Sequence, residues 1–220
     1  DMAFTHLHVH TEYSLLDGSN KIKEYVRRVK ELGMDSAAIT DHGVMYGVID
    51  FYKACRAEGI RPILGCEVYV APNSRFDKEL IGGDDRYYHL VLLAENNTGY
   101  NNLTRIVSRG FTEGYYYKPR VDMELLQEFH EGIIALSACL AGEVQRYITK
   151  GLYDEAKKTA LKYQACFGKG NYFLELQDHG LPEQKMVNTA LLQMSKELDI
   201  PLVATNDVHY TYKEDVKPHD

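Results

Sequence analysis

Residues 4–33 read FTHLHVHTEYSLLDGSNKIKEYVRRVKELG and form the first complete β/α unit of the chain. The apolar run Phe4–Val9 predicts a strand. Asn20 is a candidate N-cap, and the apolar residues from Ile22 to Leu32 recur at the spacing of an amphipathic helix, which Gly33 ends. A strand followed directly by a helix of this kind is typical of α/β proteins.

The same alternation continues to the end of the chain. Further strands are predicted at residues 36–40, 62–70, 88–94, 132–137, 172–176 and 201–205, with helical segments between most of them. Seven strands alternating with helices imply parallel pairing in a sheet that is either closed into a barrel or open and wound on both faces. A chain of 220 residues with 45% hydrophobic side chains favours one domain spanning residues 1–220.

Composition limits the class of protein. The net charge of −7 argues against a broad basic surface for nucleic acid, although bound metal cations can reverse the local sign of a site. No apolar run approaches the roughly 20 residues that cross a bilayer, and the start of the chain lacks the pattern of a signal peptide, so we expect a cytoplasmic protein without a membrane partner. The four cysteines lack CxxC spacing and predict reduced thiols, of which Cys55, Cys66 and Cys166 are expected in the core.

Metal-ligand residue types lie on or near all seven predicted strands, and in six of the seven they lie at or just past the carboxyl end. They are His6, His8, His10 and Asp17 around strand one, Asp41 and His42 after strand two, Glu67 on strand three, His89 on strand four, Cys139 after strand five, Asp178 and His179 after strand six, and Asp207 and His209 after strand seven. Residues two apart on a strand share a face, so the pair His8 and His10 can bind one metal, and so can the pair Asp207 and His209. This set exceeds the four ligands of a single zinc, and its chemistry predicts two to three divalent metals, zinc, manganese or iron.

The segment Gly114–Arg120 reads GYYYKPR and combines aromatic rings with cations. Such a segment is typical of a groove for single-stranded nucleic acid, in which Lys118 and Arg120 are candidate phosphate contacts. An interface with a neighbouring domain explains the same residues equally well. Glu175, between Leu174 and Leu176, is expected either to line a barrel or to pair with a buried base.

Seven motifs, in order along the chain, resemble the PHP (polymerase and histidinol phosphatase) family: HLHVHTEYSLLDG, ITDHG, GCEVY, YYHLVLLA, ALSACLAGE, YFLELQDHG and TNDVHY. The resemblance is strongest to the branch of that family that begins the chain of bacterial replicative DNA polymerases. It implies a distorted (β/α)7 barrel with a trinuclear metal site at the carboxyl ends of the strands, and a single PHP domain at residues 1–220 that is part of a longer polymerase chain.

The same resemblance assigns nine metal ligands: His8, His10, Asp17, His42, Glu67, His89, Cys139, Asp207 and His209. His6 lies outside the matching pair of histidines, and Asp41 is placed to orient His42. The phosphatase branch usually carries histidine at the positions of Asp17 and Cys139, so the chain departs from that branch at two ligands.

The function implied by the resemblance is a metal-dependent phosphoesterase that acts as a 3′ to 5′ proofreading exonuclease. Asp207 and His209 are the expected catalytic ligands, and His179 is a candidate proton donor to the leaving oxygen. The expected partners are a single-stranded DNA 3′ end, the rest of the polymerase chain and replisome subunits. Two alternatives remain open, a non-catalytic platform stabilised by metals and a phosphomonoesterase of the histidinol phosphatase kind.

Overall fold

The structure, a computed structural model, describes residues 7–10, 18–31, 33, 36–41, 48–79, 86–178 and 180–205. The strands are β1 (Leu7–His10), β2 (Ser36–Asp41), β3 (Arg61–Val70), β4 (Tyr88–Ala94), β5 (Arg120–Val121), β6 (Ile133–Leu136), β7 (Tyr172–Leu176) and β8 (Leu202–Ala204). The helices are α1 (Gly18–Glu31), α2 (Val48–Glu58), α3 (Asn97–Glu113), α4 (Met123–Glu128), α5 (Glu143–Thr149), α6 (Tyr153–Phe167) and α7 (Pro182–Leu198).

All seven strands expected from the sequence are confirmed to within a few residues. The two-residue strand β5 and the six-residue helix α4 escaped sequence reasoning because each is too short to show a periodic pattern. The N-cap assigned to Asn20 was wrong, since α1 already begins at Gly18.

The strands form one mixed sheet in the order β1-β2-β3-β4-β6-β7-β8, with β5 paired to β3. The expectation of uniformly parallel pairing is wrong at β4, which runs antiparallel to both β3 and β6. A strand that pairs parallel with the strand before it needs a crossover connection, usually a helix. The described residues between β3 and β4 contain no helix. The remaining neighbours along the sheet are parallel, as expected.

The helices pack against one face of the sheet. Alternate residues of β3 on this face, Cys66, Val68 and Val70, lie in one apolar cluster with buried side chains of α3 to α7. Leu64, on the same face of β3, packs in a second cluster with α1 and α2. Because successive side chains of a strand point to opposite faces, all seven helices cover this face.

The opposite face of the sheet is also buried, although no helix in the described part of the chain contributes to it. Its apolar cluster is made of residues from strands and strand ends alone: Ile63, Val91, Leu93, Leu136, Ala138 and Val203, with Ile134 and Phe173 packed against them. We call this the inner face. Across the described residues, β1 and β8 do not pair, so closure of the sheet is not observed.

Candidate metal centre

Glu67 and His89 lie on neighbouring strands at one end of the inner face. His89 is the second residue of β4 and is paired with Tyr69 near the end of β3. Because β4 is antiparallel, its amino end lies beside the carboxyl end of β3. The carboxylate Oε1 of Glu67 contacts Nδ1 of the His89 imidazole directly. His89 therefore lies at the amino end of its own strand and still reaches the end of the sheet where Glu67 lies, which we call the rim.

Cys139 reaches the same place from a third strand. β6 pairs antiparallel with β4, with Leu136 opposite Val91, so the chain leaving β6 runs towards His89. The His89 backbone N–H donates to the Ala141 carbonyl oxygen at 3.1 Å. The Cys139 sulfur Sγ lies 3.8 Å from Nδ1 of His89. Three predicted ligands, distant in sequence, therefore meet around one imidazole.

The loop that carries Cys139 is held in a specific backbone conformation. Ala138, directly before the cysteine, is buried and has φ +68°, in the left-handed region that non-glycine residues rarely adopt. At Gly142 a side chain is excluded, because a Cβ there would lie 2.2 Å from the Ser137 carbonyl oxygen. Gln145 Nε2 donates to Ser137 Oγ at 2.8 Å and to the Ala138 carbonyl at 3.0 Å. These contacts fix the direction in which the loop presents Cys139.

The pKa of His89 is set by opposing effects. Burial lowers it, but hydrogen bonds to Cys139 and Glu67 and the negative charge of Glu67 outweigh burial and raise the pKa to about 9. Without metal, the imidazole is therefore protonated at neutral pH. Metal ligation requires the neutral imidazole, so a bound cation would replace this proton.

The donor chemistry of the three side chains fits a divalent metal. A carboxylate, an imidazole and a thiol together suit zinc, manganese or iron. In the structure, Glu67 and Cys139 both approach the same nitrogen of His89. Among the residues that the structure describes, no group of three or more His, Cys, Asp or Glu side chains is already arranged as a metal cage.

The other predicted ligands divide into two groups. His8 and His10 lie on β1, as expected, where their backbones pair with Ala37 and Ile39 of β2. The remaining predicted site residues, Asp17, His42, His179, Asp207 and His209, lie outside the described residues.

An aromatic group borders the Glu67–His89 pair. The Tyr69 ring meets the His89 ring edge-on at 5.1 Å and the Tyr87 ring at 4.9 Å. Exposed Lys118 places its Nζ 5.9 Å from the centre of the Tyr69 ring. Beside them lies a cleft of about 350 Å³, which we call the aromatic cleft; its lining includes Glu67, Tyr69, Phe111, Tyr115, Lys118 and Pro119.

Arg120, expected to contact phosphate, has a different role in the structure. Its side chain is fully buried. Its guanidinium donates to the carbonyl oxygens of Gly114, Arg86, Arg75 and Asp77 at 2.8 to 3.3 Å. This arrangement does not support a phosphate contact, because the donors that would bind phosphate already hold the surrounding loops together.

A second arginine stabilises the same region. Arg75 is buried, and its Nη1 lies 3.0 Å from a carboxylate oxygen of Asp122 and 3.0 Å from one of Glu124. Asp122 also caps α4 by accepting from the Leu125 N–H. Sequence reasoning did not predict the structural role of either arginine, since their burial depends on loops that meet only in the folded chain.

Glu175, left open by the sequence, is 1% exposed on the inner face of β7. Its Oε2 accepts a hydrogen bond from Thr205 Oγ1 at 2.7 Å. The same oxygen also accepts from Gln177 Nε2, so a hydroxyl and an amide are partners of Glu175 among the described residues. The only signal in the sequence was a charged residue flanked by leucines in a strand.

Across the described residues, no helix is both long enough and apolar enough to cross a membrane.

The fold and the converging ligands agree with the relationship of this chain to known proteins. The chain belongs to the PHP domain family, which matches residues 6–179. Among curated proteins, it is 52% identical to the DNA polymerase III subunit alpha of Treponema pallidum, over all of this chain and 19% of the relative. It is 49% identical to the same subunit of Deinococcus radiodurans, over 99% of this chain and 17% of the relative. It is 45% identical to that of Thermus aquaticus, over 100% of this chain and 18% of the relative. The chain thus spans less than one fifth of the length of these relatives.

Two solved structures share the fold. One is a protein of Bifidobacterium adolescentis assigned as a metal-dependent phosphoesterase, with a TM-score of 0.51 and 17% identity, covering 91% of this chain and 86% of the other. The second is an amidohydrolase from Chromobacterium violaceum, with a TM-score of 0.51 and 15% identity, covering 91% and 84%. At these identities the likeness concerns the fold alone.

Proposed function

We propose that this chain is the metal-dependent phosphoesterase domain of a replicative DNA polymerase alpha chain and acts as a 3′ to 5′ exonuclease. The observation that carries the proposal is the meeting of Glu67, His89 and Cys139 at one rim of the inner face. Three side chains with metal-ligand chemistry come together there from β3, β4 and the loop after β6. Such convergence is expected of a functional site rather than of surface residues.

The proposal takes residues 1–220 as one domain whose sheet curls into a distorted barrel of seven β/α units. Support comes from the inner face, where Val91, Leu93 and Leu136 are buried although no helix in the described residues packs on them. A doubly wound sheet would carry helices on both faces. A sheet that curls on itself buries this face without helices, as in barrel cores.

The proposed centre binds two to three divalent metals through Glu67, His89 and Cys139 together with His8, His10, Asp17, His42, Asp207 and His209. Bound metals of this kind supply a nucleophilic water at neutral pH and neutralise charge on a phosphoryl group. For their part, Glu67 and Cys139 hold the His89 ring in place, while His179 is the candidate donor of a proton to the departing oxygen.

The proposed substrate is the 3′ end of a single DNA strand. The aromatic cleft offers exposed Phe111 and Tyr115 as surfaces for base stacking and the cation of Lys118 for a phosphate. The lining of this cleft includes Glu67, one of the proposed metal ligands. The polymerase context and the replisome partners rest on the high identity to DNA polymerase III alpha subunits.

The decisive experiment measures release of the 3′ nucleotide from a labelled single strand by the protein at its natural length, without nucleotides and with Mn²⁺ or Zn²⁺ added. Asp207→Asn keeps the shape of the side chain but removes a charged ligand, and it should reduce release by about 100-fold or more. The matched control is Asp199→Asn, the same change at an exposed, left-handed helix end, which should retain activity.

Each other outcome overturns the proposal in a different way. Bound metal with no release by the unsubstituted protein would favour the structural platform. Hydrolysis of small phosphate monoesters without release of nucleotides from DNA would favour a phosphomonoesterase of the histidinol phosphatase kind. Full activity of Asp207→Asn would show that Asp207 is not part of the proposed metal centre.

A further inference from the structure

A chain of mostly buried polar side chains connects the carboxyl ends of β6, β7 and β8, at the same end of the sheet as the proposed centre. Its members are Ser137, Gln145, Glu175, Gln177 and Thr205, which we call the polar hub. Ser137, Gln145, Glu175 and Thr205 are each at most 3% exposed. A buried carboxylate in an apolar sheet face is costly, so its contacts need a specific explanation.

Glu175 is the centre of the hub. Its Oε2 accepts from Thr205 Oγ1 at 2.7 Å and from Gln177 Nε2. Its backbone N–H donates to Ser137 Oγ at 2.9 Å, and the same oxygen accepts from Gln145 Nε2 at 2.8 Å. One residue of β7 is thus bonded to the segments that leave β6, β7 and β8.

The positions of these partners in the sequence are regular. Ser137 lies two residues before Cys139. Gln177 lies two residues before His179, and Thr205 two residues before Asp207. These three partners of Glu175 among the described residues thus each lie two residues before a proposed ligand or proton donor.

We propose that Glu175 is a positioning residue, which anchors these three segments at one point and so sets the relative placement of Cys139, His179 and Asp207. The inference rests on the proposed function for the role of those three residues. Thr205 and Gln177 donate to the buried carboxylate of Glu175, and its backbone N–H donates to Ser137, so three segments are restrained at one residue before any metal binds. Outer groups that orient metal ligands in this way commonly affect both metal affinity and activity.

The test compares two substitutions at Thr205 in the protein at its natural length. Thr205→Val keeps the shape but removes the hydroxyl that donates to Glu175, whereas Thr205→Ser keeps the hydroxyl. We expect Thr205→Val to weaken Mn²⁺ binding, measured by calorimetry, by about tenfold, and Thr205→Ser to bind as the unsubstituted protein does.

A second readout does not depend on metal. In the metal-free protein, amide hydrogen exchange in residues 138–142 and 206–209 should be about tenfold faster in Thr205→Val than in Thr205→Ser, with α6 and α7 unchanged. A role confined to general packing would instead accelerate exchange throughout the sheet. Glu175→Gln, with the same two readouts, provides the second variant if Thr205→Val does not fold.

The possible failures are separable. Equal metal affinity and equal local exchange in the valine and serine variants would overturn the positioning role, as would a uniform rise in exchange. If the unsubstituted protein binds no Mn²⁺ or Zn²⁺, the proposed metal centre fails, and the exchange measurement still decides whether Glu175 couples the three segments.

Discussion

The carboxylate of Glu67 contacts the imidazole Nδ1 of His89 across two strands that run in opposite directions. The contact exists because β4 enters the sheet with its amino end beside the carboxyl end of β3. Burial lowers the pKa of His89, but the hydrogen bonds with Cys139 and Glu67 and the negative charge of Glu67 raise it to about 9. Stability, reactivity and metal binding at this rim are therefore linked.

The metal-free protein should lose stability as the pH rises. In the folded chain the pKa of His89 is about 9, above the value of about 6.5 that an unfolded histidine has. The contribution of His89 is fully present below pH 6.5 and is lost as the pH rises through 9, with a total on the order of 3 kcal/mol. Urea unfolding with a chelator at pH 6 to 9.5 measures it. His89→Asn should flatten this dependence, and an unchanged slope in that variant would refute the assignment.

Cys139 should be the cysteine that reacts first with a thiol reagent. It is half-buried, whereas the other three cysteines are buried, and burial raises the pKa of Cys55 to about 12 and that of Cys166 to about 11. Brief treatment with iodoacetamide at pH 8 followed by peptide mass analysis should find Cys139 modified. Added Zn²⁺ should protect it if it is a ligand. Modification at an undiminished rate in saturating Zn²⁺ would argue against ligation.

Replacing Lys118 and Arg120 by methionine should affect different properties of the protein, DNA binding for Lys118 and fold stability for Arg120. Arg120→Met leaves four carbonyl oxygens, two of them in buried hydrogen bonds, without their donor and should destabilise the fold by about 3 kcal/mol or more. Lys118→Met, at an exposed position, should leave the melting temperature nearly unchanged and weaken binding of a single-stranded oligonucleotide. Thermal melts and fluorescence anisotropy separate the two effects. Equal destabilisation by both changes would contradict the structure.

Gly142 should tolerate alanine poorly. A Cβ at this position would lie 2.2 Å from the Ser137 carbonyl, so the loop that carries Cys139 must shift. We expect Gly142→Ala to destabilise the fold by about 2 kcal/mol or more and to lower metal content. The matched control is Gly151→Ala, where φ is +75° but the space is open, with an expected cost of about 1 kcal/mol. Similar melting curves for the two variants would contradict this account.

The sequence by itself determined every described strand except β5, most of the helices and the residue types of the site. Local patterns suffice for this, because burial on one side of an element leaves a period of 2 or 3.6 in its apolar residues. The same reading identified Glu67, His89 and Cys139 as candidate ligands. For the predicted ligands outside the described residues, such as Asp207 and His209, the sequence remains the basis of the prediction.

Tertiary structure alone decided the direction of β4, the burial of Arg120 and the connections of Glu175. A strand shows the same apolar pattern whether its neighbours run parallel or antiparallel, so β4 carried no local sign of its reversal. An arginine shortly after a run of tyrosines is equally compatible with a surface or a buried role, and the carbonyl oxygens of Arg75, Asp77 and Arg86 that bind Arg120 come from segments distant in sequence. Hydrogen bonds between such segments leave no periodic signal, because they depend on which loops the folded sheet brings together.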